Sequence, residues 1–376
     1  MCSNIGHPVR RYGSALTCCL SVSIVSFTSR EFGRLNDGTL VREYTLDNGR
    51  GLSLSAINLG GIVTAIRTPD RNDRIDNVVL GFARPRDYLE SNAHFGTIVG
   101  RYANRIAGGR FSIDGNVCQV SLNEGRNSLH GGRRGFGARC WTILPQTDLE
   151  DGSVALDLNY VSEDGEEGFP GRLEVGVRYT LTAGNEWRID YQAETDRPTV
   201  VNLSHHDYFN LAGAATALDH RLEIASSRYT QIDEHQIPAG IAEVAGTPFD
   251  FRRPTRIVER IRQGIVQLTH ARGYDHNWIL DRNGGDGLCF AARLEDESSG
   301  RVMEIETTEP ALQFYSGNFL DGSLIGASGQ AFRQGDGLCL ETQHYPDSPN
   351  RPEFPSAELR PGQRFSSCTV HRFGVR

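Results

Sequence analysis

The sequence predicts an all-β fold, one large antiparallel sandwich or barrel with few helices, and three observations point there. Apolar residues recur with period two in many short runs, as half-buried strands require. Turn signals separate those runs at short intervals. Glycine is abundant, 42 of 376 residues, which suits a chain full of tight turns.

Taken in order, Leu52, Leu54 and Ala56 alternate with serines, and Gly60-Gly61 turns the chain into "IVTAI". Val154–Tyr160, Leu173–Leu181, Trp187–Ala193, Arg221–Ile224 and Arg301–Thr307 alternate in the same way. Asp47-Asn48-Gly49, Asp114-Gly115, Asp151-Gly152 and Ala183-Gly184-Asn185 read as turns. One stretch reads as a helix: after Arg252-Arg253-Pro254, Ile257, Val258, Ile261 and Ile265 fall at helical spacing. Neither a linker nor an internal repeat interrupts the pattern, so residues 30–376 are expected to form a single domain.

Residues 1–29 are expected to be a leader or extension. Arg10-Arg11 precede Ser14–Phe27, apolar enough to imitate a signal-peptide core but without a clean A-x-A site. The segment is too short for a spanning helix, which needs about 20 apolar residues. A cytoplasmic location is expected, or a periplasmic one if this segment is a signal peptide. The net charge of −8 and the lack of a Lys/Arg-rich block argue against nucleic acid as a partner. Nothing calls for a membrane, and a monomer or weak homodimer is expected. Cys118, Cys140, Cys289, Cys339 and Cys368 show no C-x-x-C spacing and read as free thiols in a reducing compartment.

Chemistry concentrates in "NLSHHDYFNL", residues 202–211. Successive strand side chains point to opposite faces. Val201, Leu203 and His205 then share an apolar face, and Asn202, Ser204, His206 and Tyr208 share a polar one. His206 is therefore the candidate for function and His205 the structural residue. Glu341, in "LCLETQHYPDSPN", shares a strand face with Cys339, Gln343 and Tyr345; taken alone it reads more readily as an arginine partner. His130 precedes Gly131-Gly132, where backbone can approach a ligand closely. Asn104 and Arg105 offer an amide and a fixed fork of donors. Asp275 could accept hydroxyl protons while Trp278 stacks on a ring, and Gln313 could bind an oxygen. Each also has a plain reading as a loop, turn or surface residue. A metal site could draw on His130, His206 and Glu341 or Asp275, but no H-E-x-x-H occurs, and adjacent strand histidines cannot both face one ion; no metal is expected. A glycosidase pair would need two flanking carboxylates, with Glu341 and Asp275 as candidates. Neither a G-x-S-x-G elbow nor a phosphate-cradling loop is present.

Together and in this order, "GRYANRIAGGRF", "NSLHGG", "EEGFPG", "NLSHHDYFNLAG", "GYDHNW", "QFYSGN" and "LETQHYPDSPN" resemble the aldose 1-epimerases, the galactose mutarotases. The resemblance runs from about Gly33 to the C-terminus. It implies a large β-sandwich of the galactose mutarotase-like supersandwich type, a free aldose as small-molecule substrate, and no cofactor. It implies His206 as general acid and Glu341 as general base, with Asn104, Arg105, His130, Asp275 and Gln313 binding the sugar. Position 205, usually asparagine in that family, is His205 here. On ordinary solution values Glu341 is expected to be ionised at neutral pH, and His206 to need a nearby negative charge to stay protonated.

Overall fold

The computed structural model describes residue 1 and residues 25–376, except positions 92, 148, 150, 215, 283 and 286. Most of the expected leader, with Cys18 and Cys19, therefore lies outside the described residues. Its last residues do not: the first strand spans Ser26–Arg34, so regular structure begins before position 30.

Among the described residues the largest sheet has nine antiparallel strands. Its centre is a meander whose pieces match the period-two runs: Val154–Ser162, Leu173–Leu181 and Glu186–Thr195 pair in sequence. The C-terminal strand Phe365–Val375 then joins Glu186–Thr195 to Arg301–Thr307. A five-stranded meander, from Ser26–Arg34 to Ile75–Asn77, forms a second sheet. A third runs in the order Pro238–Glu243, Arg228–Ile232, Asp275–Ile279, Ala311–Tyr315, Cys339–Gln343.

Inward-facing residues of all three sheets meet in one core. Leu54 and Ile66 come from the N-terminal sheet, Val177 and Ile189 from the largest, and Leu312 and Leu340 from the third. This is the β-sandwich that the alternation predicts. Only two short α-helices, Pro85–Glu90 and Val266–Ala271, occur among the described residues. None is long and apolar enough to cross a membrane.

Two expectations need correction. The helix read over residues 257–265 is a single 3₁₀ turn, Ile257–Glu259, and the α-helix begins only at Val266. Ile257 and Ile261 do reach the core, but Val258 is exposed. Gly264 lies between the two pieces, where glycine costs about 1 kcal/mol relative to alanine in a helix. Second, the stretch around His205 is not a long strand. Only Ser204–His205 pair, with Ile98–Val99, and single bridges at Asn202 and Phe209 carry the rest. Side-chain alternation nevertheless survives: His206 and Tyr208 line a cleft, while His205 bonds Tyr179 and Asp207 on the other side.

The described cysteines Cys118, Cys140, Cys289, Cys339 and Cys368 are free. The "EEGFPG" segment anchors a buried cation: Arg101 donates to the carbonyls of Pro170 and Gly171 at 2.9 and 2.8 Å.

Candidate active site

Strand register assembles the floor of the site. Asn277 pairs with Gln313, and Gln313 with Glu341, so the three stand side by side on one sheet face. Asp275 lies two residues along on that face. Gln313 Nε2 donates to Asp275 Oδ1 at 2.6 Å. The opposite face carries His276 and Trp278 into the core. Trp278 is fully buried and its indole N–H donates to the Phe249 carbonyl at 3.0 Å. The expected stacking of Trp278 on a ligand ring is thus overturned by the same alternation that presents Asp275.

The walls come from loops. Asn104, with φ +65°, turns its side-chain oxygen onto the backbone N–H of Arg105 at 2.9 Å. Arg105 is buried and clamped by Glu124 through two bonds of 2.7 and 2.6 Å, and by Gln236 Oε1 at 2.7 Å. Its guanidinium lies 3.9 Å from Asp275 Oδ2. Burial opposes charge on Arg105, but Asp275, Glu124 and Glu341 outweigh it and hold its pKa above the ordinary value. Arg105→Lys removes the fork that serves Glu124 and Gln236 at once, and unfolding should become easier by about 1.5–3 kcal/mol in denaturant titration.

His130 accepts the Asn104 N–H on Nδ1 at 3.2 Å. Its proton therefore sits on Nε2, which makes that nitrogen a donor. This bears on metals. One ligand atom from each of His130, His206 and Glu341 lies within 4.8 Å of the others. An imidazole that accepts on Nδ1 and carries its proton on Nε2 has no lone pair left for an ion, so this tautomer does not suit ligation.

His206 and Glu341 meet at the centre, with Nε2 and Oε1 3.8 Å apart and both side chains buried. The rings of His130 and His206 lie edge to face at 5.2 Å. His94, half-buried and also at positive φ, packs against both at 4.8 and 5.8 Å. Burial and the neighbouring His94 push His206 down to about 3, with His205 adding to the effect. Burial and Asp275 push Glu341 well above the usual carboxylate range. Both shifts run against the expected ionised Glu341 and protonated His206. Desolvation penalises charge on both groups and outweighs their mutual attraction.

A cleft of about 940 Å³ opens over these groups. Asn104, Arg105, His130, His206, Asp275 and Glu341 all line it. Gln313 is not part of that lining; its amide nitrogen donates to Asp275, which is. Sequence reasoning missed His94, Glu124 and Tyr315, which also line the cleft. Alternation from His130 or Arg105 could not have found His94 or Glu124, because both sit on loops. Tyr315 lies two residues from Gln313 on the same strand face, which was the available signal.

A polar cleft in a β-sandwich, with one imidazole against one carboxylate and polar side chains around them, has the make-up of an acid/base enzyme for a small polyhydroxylated substrate. Residues 42–372 match the aldose 1-epimerase family profile. Over 356 residues the chain is 43% identical to the galactose mutarotase of Rattus norvegicus, covering 94% of this chain and 100% of that one. It is 39% identical to the aldose 1-epimerase of Escherichia coli (strain K12), covering 90% and 96%. The crystal structure of galactose 1-epimerase from Lactobacillus acidophilus superposes with a TM-score of 0.81 at 29% identity, covering 93% and 99%. The chain belongs to the aldose 1-epimerase family.

Proposed function

We propose that this chain interconverts the α and β anomers of free aldoses, D-galactose and D-glucose first, by opening and reclosing the sugar ring. The observation that carries the reading is the 3.8 Å approach of His206 Nε2 to Glu341 Oε1 inside the cleft. O1 and O5 of a pyranose are bonded to the same carbon, so groups this close can reach both.

Opening breaks the C1–O5 bond. Glu341 takes the O1 proton, O1 becomes the carbonyl oxygen, and the departing electron pair on O5 takes a proton from His206. Rotation about C1–C2 presents the other carbonyl face. Closure reverses the transfers: O5 attacks C1, His206 recovers the O5 proton and Glu341 returns its own to O1. Atoms and electrons balance with two proton transfers, and no redox partner enters.

The pair needs one proton between its two members throughout. Burial of both groups favours the proton on Glu341, the form that closes the ring; the form that opens it has the proton on His206. Asp275, Arg105, Asn104 and the Nε2–H of His130 hold the sugar hydroxyls, with Gln313 orienting Asp275.

The pair is coupled, so pH–rate curves report it as a unit. Because the second proton binds His206 only near 3, kcat/KM should stay level well below the ordinary imidazole value of about 6.5. Activity should fall on the alkaline side as Glu341 loses its proton. An acid limb centred near the ordinary imidazole value, measured where circular dichroism shows intact fold, would contradict this.

Polarimetry on freshly dissolved α-D-galactose tests the function itself. Rotation should relax faster than in buffer, in proportion to enzyme. Relaxation at the buffer rate despite galactose binding would mark a lectin. Acceleration with glucose 6-phosphate alone would mark a phosphosugar enzyme.

A further inference from the structure

The residue that the fold sets behind His206 has its own partners. His205 Nδ1 lies 2.6 Å from Asp207 Oδ2, and its Nε2 lies 2.8 Å from the Tyr179 hydroxyl. All of this is enclosed: the His205 and Asp207 side chains are 4% and 2% exposed, and Tyr179 is fully buried. The rings of His205 and Trp187 meet edge to face at 5.1 Å, and His371 stacks on the same Trp187 at 4.8 Å.

Counting hydrogens fixes the protonation of this chain. Tyr179 has one hydroxyl proton, and the Gly61 carbonyl lies 2.8 Å from its oxygen. Among the described residues Tyr179 is the donor to that buried carbonyl outside regular strand pairing. If the hydroxyl serves Gly61, its oxygen can only accept from His205, so Nε2 must carry a hydrogen. Nδ1 must carry one too, because an ionised Asp207 only accepts. Both ring nitrogens then donate, and the ring is a cation paired with Asp207. The other arrangement, with Tyr179 donating to His205, leaves the buried Gly61 carbonyl without this donor. Burial also pushes Tyr179 well above its ordinary value, so its hydroxyl keeps the proton.

We propose that the buried Asp207–His205 ion pair is a positioning and charge-setting unit for the catalytic pair, biasing the shared proton toward Glu341. His205 and Asp207 flank His206 directly in the chain, and neither lines the cleft that His206 and Glu341 share. The field disfavours a cation on His206 and an anion on Glu341. The directions agree: His205 lowers His206, and Asp207 raises both Glu341 and Cys339. The other groups facing the unit are Tyr179, Tyr191 and His371 from the nine-stranded sheet, and Tyr88 and Cys339. His371 is itself held neutral, pushed down to about 3 by burial and by His205. His94, His130, Tyr208 and Tyr315 surround His206 on the cleft side.

The inference rests on the function proposed above, and two measurements keep the two separable. The first is ¹⁵N–¹H spectroscopy of the full chain labelled at histidine, with His205 assigned by its loss in His205→Asn. Two ring N–H signals for His205 at neutral pH are expected; a single one overturns the proposal whether or not the enzyme turns over sugar. The second is the pH profile of kcat/KM in the His205→Asn/Asp207→Asn double variant, which removes both charges at similar volume. Its acid limb should move to higher pH by about one unit, lowering activity on that limb about tenfold. A limb that stays in place while only thermal stability or kcat falls shows a merely structural pair and overturns the charge-setting role. Failure of the wild-type enzyme to accelerate galactose mutarotation instead rejects the function and leaves the spectroscopic result standing.

Discussion

His206→Ala and Glu341→Ala should each slow galactose mutarotation by about 10²–10⁴, the usual contribution of one general acid or base. The fall should appear mainly in kcat, because Asp275, Arg105, Asn104 and His130, the residues proposed to hold the sugar, are left in place in either variant. The double variant should be little worse than the worse single one, since the two residues handle one shared proton and act as a unit. Glu341→Gln separates charge from shape: it keeps the volume and the strand position but cannot accept the O1 proton. It should therefore be nearly as slow as Glu341→Ala. Stopped-flow polarimetry or anomer-resolved proton spectroscopy would read all four. Near wild-type speed in either single variant would remove that residue from the mechanism.

Gly131→Ala should lower stability by more than about 3 kcal/mol, among the largest effects of a single methyl group. The position has φ +84°, and a Cβ built there would lie 2.0 Å from the Gly100 carbonyl oxygen. Backbone on both sides would have to move, since no flexible side chain can yield. The displaced segments carry His130 on one side and lead into Asn104 and Arg105 on the other. Activity should thus fall even at temperatures where the variant remains folded, with KM rising more than kcat falls. Thermal unfolding paired with kinetics at low temperature checks both parts. A variant with wild-type melting and wild-type KM would show that the close approach is not required.

Much of this was legible in residue order alone. Alternation separated His206 from His205 and put each on the face where it lies. Leu173–Leu181, Arg221–Ile224 and Arg301–Thr307 are strands with the limits their pattern gave. Alternation also held the answer for Trp278, which shares parity with His276 rather than with Asp275. What stayed hidden depends on distant pairing. Glu124 and Gln236 clamp Arg105 from 19 and 131 residues away, and loop residues carry no period that could reveal it. The protonation of the catalytic pair was hidden for another reason. Solution values assign the proton to His206, whereas depth of burial decides it, and depth is a property of the assembled fold.

The strand that bears Glu341 is the last in its sheet, and the segment bearing His206 closes it. Ser204 Oγ donates to the Thr342 carbonyl at 2.9 Å, a link across 138 residues of chain. A strand margin without such cover invites pairing with a foreign chain. The seam that brings catalyst to catalyst is therefore also a guard against self-association. Joining such remote stretches is slow relative to local pairing, because the loop entropy must be surrendered first. Recovery of turnover after dilution from denaturant consequently reports the closing of this margin.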